Sequence, residues 1–139
     1  MGITYKDNTD EVLTALEKAI ENGLTAIGMT AEGHAKRKIT DYPAVDTGRL
    51  RNSITFAISG EKANTPTYTD SEKKTYTYDG TAPDDKEKAV YIGTNVEYGS
   101  FVELGTSKMQ PRPFLKPAAT EHDEEYKKIM EAALKSAEP

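Results

Sequence analysis

Apolar residues recur at steps of three and four along the first third of the chain. This spacing is typical of an amphipathic helix with one buried face, and the stripe comprises Val12, Leu13, Leu16, Ile20, Leu24, Ile27, Ala31 and Ala35. It predicts one long helix over about 10–39. Gly23, Gly28 and Gly33 lie inside it, and each costs about 1 kcal/mol relative to alanine in a helix interior. The helix therefore needs a sheet or another element to pack against.

The middle of the chain alternates apolar and smaller residues, as half-buried strands do. Ile54, Phe56 and Ile58 alternate within residues 53–59, and residues 89–94 form a second apolar run. Both runs are expected to be core strands. The segment just before the first of them, Val-Asp-Thr-Gly at 45–48, is expected to be a turn, because an Asp acceptor and a hydroxyl precede a glycine.

Residues 60–88 separate the two strands and have a different composition. They contain no Leu, Ile, Val, Phe or Met and many Lys, Glu, Asp and Thr. Within them, residues 67–69 and 75–78 have strand propensity and flank a polar turn. We expect an exposed, mobile hairpin inserted between the core strands, with simple disorder of this segment as the alternative.

The C-terminal third combines apolar residues with glycine and proline. Helical spacing predicts a short helical turn that ends at Gly105, formed by Tyr98, Phe101, Val102 and Leu104. Residues 110–115 are expected to be extended, and a terminal helix is expected to start near Pro117 and reach Leu134. The whole chain, 1–139, is thus predicted to be a single α+β domain. A small antiparallel sheet would pack against the long N-terminal helix and a C-terminal helix.

Composition narrows the class of protein. A chain of 139 residues fits one domain, and the absence of cysteine excludes disulfides, thiolate metal sites and a cysteine nucleophile. No apolar run approaches the roughly 20 residues that span a bilayer, and the N-terminus lacks a signal peptide's apolar region. We therefore expect no membrane association. A net charge of −5 argues against binding nucleic acid by neutralising phosphates.

Few residues offer chemistry. His34 and His122 are far apart in sequence with no visible third ligand, so we predict surface or boundary histidines, no metal and no cofactor. Glu97 and Glu103 could in principle form an acid–base pair, but such residues are more often solvated or paired with an arginine, here Arg112. We predict no catalytic residues. A hydrolase that uses Glu97, Glu103 or a histidine is the alternative.

Two short motifs rise above this background. The first is residues 45–54, VDTGRLRNSI, and the second is residues 111–114, PRPF. Pro111 and Pro113 fix the backbone on both sides of Arg112, so less backbone entropy is lost when its guanidinium binds a partner. Such an arginine suits a bidentate contact with a carboxylate, within the chain or across a subunit boundary.

These motifs resemble the neck or tail-completion (head–tail joining) proteins of long-tailed bacteriophages and prophages. The similarity runs in order through an N-terminal helix, VDTGRLRNSI (45–54), VYIGTNVEYGSFVELGT (90–106), PRPFLKPA (111–118) and a closing helix. It covers nearly the whole chain outside residues 60–88. Each motif alone is a weak signal, and four in the right order make a fairly specific one.

The resemblance implies a virion structural protein without enzymatic activity, assembled in the host cytoplasm. It would act at the joint between the DNA-filled head and the tail as a ring, a hexamer in the virion, in contact with neighbouring neck and tail proteins. DNA would pass nearby without specific binding. A ring needs heterologous interfaces that close on rotation, and the candidates for interface or structural roles are Asp46, Thr47, Gly48, Arg49, Leu50, Tyr98, Glu103, Gly105, Pro111, Arg112, Pro113 and Phe114. The alternatives are a tail-terminator protein of the same neck and a small cytoplasmic binding module.

Overall fold

Five helices and four short strands make up the part of the chain that the structure describes. The computed structural model describes residues 2, 7–42, 47–84 and 87–137. The helices are α1 (Thr9–Thr40), α2 (Thr47–Ser53), α3 (Gly99–Leu104), α4 (Leu115–Thr120) and α5 (Asp123–Lys135). The strands are β1 (Thr55–Ile58), β2 (Thr67–Thr69), β3 (Thr75–Thr77) and β4 (Val90–Gly93). These elements confirm the predicted α+β class. No helix among them is long and apolar enough to cross a bilayer.

The strands form two separate antiparallel pairs. β1 pairs with β4, with Phe56 opposite Ile92, and β2 pairs with β3, with Tyr68 opposite Tyr76. The first pair brings together the two predicted core strands, which lie about thirty residues apart in the sequence. The second pair is the hairpin within 60–88.

Two of the glycines in α1 are contact points. At Gly28 an added Cβ would lie 2.2 Å from Cδ2 of Phe56, and at Gly23 it would lie 2.7 Å from Sδ of Met130. Both distances are far below ordinary van der Waals contact. The glycines therefore let α1 approach β1 and α5 closely, and the packing gained offsets their low helix propensity.

The first third of α1 does not follow the predicted buried stripe. The first buried residue of the helix is Ala19, whereas Val12, Leu13 and Leu16 are exposed. α5 runs antiparallel to α1, with Glu125 beside His34 and Ala133 beside Gly23, and then ends. The N-terminal turns of α1 continue past this end, so their apolar side chains remain in solvent.

The predicted turn at 45–48 is wrong in its second half. Thr47 and Gly48 begin α2, which continues to Ser53 and carries the fully buried Leu50 on its inner face. The hydroxyl of Ser53 hydrogen-bonds to the Leu50 carbonyl and to the hydroxyl of Thr94, which fixes the step from helix to strand. Asp46 lies outside the described residues.

The predicted single terminal helix is also wrong, because the chain forms two. α4 and α5 are separated by Glu121 and His122. The Tyr126 hydroxyl in α5 donates a hydrogen bond to the Ala118 carbonyl in α4, so the two helices stay connected across the break. The break redirects α5 so that it lies along α1.

The hairpin within 60–88 has one face against the body of the protein. Tyr68 is only 7% exposed, its hydroxyl donates to Oδ1 of Asn95, and its ring stacks on that of Tyr76 at 5.4 Å between centroids. Asn52 of α2 donates to the Thr69 carbonyl. The expectation of an exposed arm therefore does not hold for Tyr68, which belongs to the core.

One buried cluster joins four of the helices, β2 and several of the segments between the elements. Its members come from α1, α2, β2, α3, α4 and the segments between them, and they are Ala35, Ile39, Leu50, Ile54, Tyr68, Val96, Val102, Phe114 and Ala118. Leu50 from the first sequence motif and Phe114 from the second meet in this cluster, so the two motifs are parts of one structural unit.

Candidate assembly surface

α3 presents two large apolar side chains to solvent. Phe101 is 55% exposed and Leu104 is 74% exposed, while Val102 between them is buried. Successive residues of a helix are about 100° apart, so three apolar side chains at 101, 102 and 104 cannot all face the core. The sequence analysis predicted a helical turn from these residues and did not name Phe101 and Leu104 as contact candidates. This angular argument was the signal that could have found them.

The outward face of α3 is held in place by a tight loop that starts at Gly105. Gly105 has φ 77°, a conformation that favours glycine, and an added Cβ would lie 2.7 Å from the Pro111 nitrogen. The chain then folds back along α3, and the Arg112 N–H donates to the Val102 carbonyl at 2.7 Å. Loop and helix therefore form one rigid corner.

Glu103 connects this corner to the next helix. Its Oε1 accepts hydrogen bonds from the backbone N–H groups of Phe114 at 3.1 Å and Leu115 at 2.7 Å, and its Oε2 accepts from Lys116 at 3.4 Å. A carboxylate at this position satisfies free N–H groups at the start of α4 and interacts favourably with the helix dipole. The sequence also offered Glu103 as a partner for Arg112, and that pairing stays a prediction.

The second carboxylate, Glu97, is bound by Arg49 of α2. The two guanidinium NH groups lie 3.1 and 3.2 Å from its two oxygens, a bidentate contact. Its own backbone N–H and then Arg49 lower the pKa of the Glu97 carboxyl. The Arg49 guanidinium also lies 4.2 Å from the centre of the Tyr76 ring. This contact ties α2, the hairpin and the segment before α3 together.

Some of the other predicted interface residues lie inside the fold or pack against its core. Leu50 and Phe114 are fully buried, Tyr98 packs against the core cluster, and the Pro113 carbonyl accepts a hydrogen bond from the Tyr42 hydroxyl at 2.6 Å. A side chain without exposed surface can influence an interface only by positioning its neighbours. Pro111 is exposed and Arg112 half-buried, both beside α3. Their direct part in an interface stays a prediction, as does that of Thr47 and Gly48.

The structure brings together the two histidines that the sequence placed far apart. The rings of His34 and His122 stack with centroids 3.5 Å apart and planes 5° from parallel. Nε2 of His34 lies 2.7 Å from Oε1 of Glu125, and its Nδ1 lies 2.8 Å from the Arg37 guanidinium. The His34 hydrogen bond is the main cause that lowers the pKa of Glu125. Across the described ranges, no group of three histidine, aspartate or glutamate side chains is arranged to hold a metal ion.

A groove of about 500 Å³ runs along the exposed part of α1. Four of its lining residues are charged, and the lining comprises Thr14, Glu17, Lys18, Ile20, Glu21 and Lys88. Pockets that bind small molecules are lined mainly by apolar and aromatic side chains. This groove does not have that character.

Comparison with known proteins identifies one family. The model of the HK97-gp10-like family, described as "Bacteriophage HK97-gp10, putative tail-component", matches residues 5–105. The match spans well over half of the chain and includes the hairpin, α2 and α3, while the Pro111–Phe114 motif and the last two helices lie beyond it. No curated protein and no solved structure matches the chain significantly.

Proposed function

Because the chain belongs to the HK97-gp10-like family of bacteriophage tail components, we propose that it is a structural protein of the virion that completes the tail and joins it to the DNA-filled head. It is made in the host cytoplasm and stays in the assembled particle. The observation that carries this proposal is the family match over residues 5–105. The order of the motifs in the sequence supports the more specific role at the head–tail joint.

The geometry of α3 supports a role in assembly. Two exposed apolar side chains, Phe101 and Leu104, stand on a corner that Gly105 and Glu103 hold rigid. Exposed apolar residues on a rigid frame lose little conformational entropy when a partner covers them. We expect this corner to contact neighbouring subunits in a ring, which in the virion follows the sixfold symmetry of the tail.

A structural role without catalysis agrees with the contacts of the two candidate carboxylates. Glu97 is engaged by Arg49, and Glu103 by backbone N–H groups of α4. Both carboxylates therefore stabilise the fold. The net charge of −5 fits a protein that DNA passes without specific binding, since binding through phosphates needs clustered lysine and arginine.

Deletion of the gene from its phage or prophage tests the role directly. After induction, electron microscopy of the lysate should show DNA-filled heads and tails of normal length that are not joined, and the wild-type gene supplied in trans should restore complete virions. Overlong tails would assign the protein to tail termination instead. Normal, infectious virions would contradict both roles and favour a cytoplasmic binding module.

A further inference from the structure

Two exposed apolar patches lie on different elements of the chain. The α3 patch consists of Phe101 and Leu104. The α1 patch consists of Val12, Leu13 and Leu16, all of them exposed. The helical turns that carry the α1 patch, residues 9–18, precede the first buried residue of α1 and span about 15 Å at the usual helical rise. Apolar patches of this kind on a soluble protein mark interaction sites.

The charges around the two patches have opposite sign. Around the α1 patch, five exposed carboxylates stand against two lysines: Asp7, Asp10, Glu11, Glu17 and Glu21 against Lys18 and Lys88. Around the α3 patch the exposed charges are two lysines, Lys108 in the loop after Gly105 and Lys116 in the first turn of α4, and Glu97, whose carboxylate is bound by Arg49. The other nearby acid, Glu103, is engaged by backbone N–H groups.

We propose that the α1 patch of one copy binds the α3 patch of the next copy, in a heterologous, head-to-tail contact. Each chain carries one patch of each kind, so each copy can bind two neighbours, which is the arrangement that forms a ring when the rotation closes. Complementary charge around an apolar centre favours this pairing and opposes the contact of two like patches. The proposal rests on the proposed function only for its place in the virion.

The absence of cysteine from the sequence allows a test by cross-linking that does not need a stable oligomer. Two full-length variants, Leu13→Cys and Leu104→Cys, are purified separately, mixed in equal amounts and oxidised with glutathione disulfide. Both positions are exposed, so neither change disturbs the core. Disulfides form only where the two Cα atoms approach within about 7 Å.

If the proposal is right, the mixed dimer should exceed each of the two homodimers by about tenfold or more. Random collision would give a mixed dimer only roughly twice as abundant as each homodimer. The matched control pair, Leu13→Cys and Glu72→Cys, should give this random ratio, because Glu72 lies on the exposed tip of the hairpin. A random ratio for Leu13→Cys and Leu104→Cys, or no dimer at all, would overturn the proposal. The patches would then face other proteins.

Charge reversal provides the second measurement. The Leu104→Cys variant is given two further substitutions, Lys108→Glu and Lys116→Glu. These charge reversals should lower the yield of mixed dimer several-fold. Adding Glu11→Lys with Glu17→Lys to the Leu13→Cys partner should restore it. If the yield is unchanged by both sets of substitutions, complementary charge does not select the partner, and that part of the proposal is overturned.

The two proposals fail in different ways. Specific Leu13→Cys/Leu104→Cys dimers together with normal virions from the deletion strain would preserve the contact and reject the head–tail role. Separate heads and tails in the deletion strain, together with random cross-linking, would preserve the role and reject this contact. Leu104→Glu should fail to restore joining in trans if both proposals hold.

Discussion

At the scale of single residues, small side chains and one carboxylate determine how closely the elements approach. Gly28 places the backbone of α1 against the ring of Phe56, and Gly33, one and a half turns later, has no such neighbour. The two positions share a helix and a residue type and differ in what surrounds them. Their contribution to stability should therefore differ in sign.

We expect Gly28→Ala to destabilise the protein by about 1–3 kcal/mol, because the added methyl overlaps a buried aromatic ring. Gly33→Ala should stabilise it by up to about 1 kcal/mol, since its Cβ would lie an ordinary 3.5 Å from the Arg37 guanidinium and alanine is the better helix former. Urea unfolding of both variants measures the two effects. A gain in stability from both changes would show that α1 does not press on β1 at Gly28.

Glu103 stabilises α4 from another helix, and its removal should be measurable. Glu103→Ala leaves up to three backbone N–H groups without their acceptor and should cost about 1–2 kcal/mol in unfolding free energy. Glu97→Ala is the matched comparison, because it removes a carboxylate that is mostly exposed from a salt bridge worth less than about 1 kcal/mol. Equal costs for the two variants, in the same urea titration, would contradict a capping role for Glu103.

At the scale of elements, the fold is connected by contacts between segments that are distant in sequence. β2 reaches the core through Tyr68, and α5 is attached to α1 through the stacked histidines and Glu125. Both elements are polar over most of their surface. α5 has no buried residue among its thirteen, so its position depends on these contacts and on the packing of Met130 against Gly23.

The hydrogen bond between His34 and Glu125 predicts how this contact responds to pH. Because the pKa of Glu125 is lower in the folded state than its ordinary value, the carboxylate stabilises the fold at pH values above the unfolded-state pKa, about 4.3. This contribution is lost as the pH falls through the folded-state pKa. The melting temperature of Glu125→Gln should therefore lie below that of the wild type at neutral pH, and the difference should vanish in acid.

Thermal melts between neutral and acidic pH check this expectation. In a His34→Ala background, Glu125→Gln should have a smaller effect with little pH dependence, because the partner is already gone. A melting difference that stays constant with pH in the wild-type background would show that the contact does not depend on the charge of Glu125.

At the scale of the whole molecule, the uneven distribution of charge matters more than its net value. The net charge of −5 suggests mutual repulsion between copies, yet the charges that surround the α1 patch and the α3 patch have opposite sign. We expect the rate of Leu13→Cys/Leu104→Cys cross-linking to fall as salt is added, because the screening length shortens from about 10 Å at 0.1 M to about 3 Å at 1 M. The Lys108→Glu/Lys116→Glu variant should lose this dependence or invert it. A rate independent of salt would remove the electrostatic basis of the pairing.

Local patterns in the sequence predicted the helices and strands that depend on local signals. The long helix α1, the core strands β1 and β4, and the end of α3 at Gly105 are confirmed. The predictions that were wrong concern features that depend on contacts between distant segments. No local signal shows that α5 ends before it covers Leu13, or that Tyr68 is buried, because each depends on where another element lies in space.

The candidate surface was predicted in part for the same reason. Glycine and proline mark a shaped backbone in the C-terminal third of the chain, the region that carries the candidate surface. The sequence indicated residues such as Phe114 and Leu50, which are fully buried and form the frame. Phe101 and Leu104, which reach solvent, have the same apolar character in the sequence. Only the direction of each side chain separates the two groups.

The stacked histidines give the protein a spectroscopic label of its own. Two imidazole rings lying face to face at 3.5 Å sit within each other's ring currents, so their carbon-bound protons should resonate upfield of ordinary histidine positions in a proton NMR spectrum. The chain has only two histidines, one before α5 and one in α1, so these signals are few and come from opposite sides of one contact. Release of α5 from α1 would return both sets of signals to ordinary positions, whatever the rest of the chain does. The attachment of α5 can thus be followed without any added probe, in the free protein and as subunits associate.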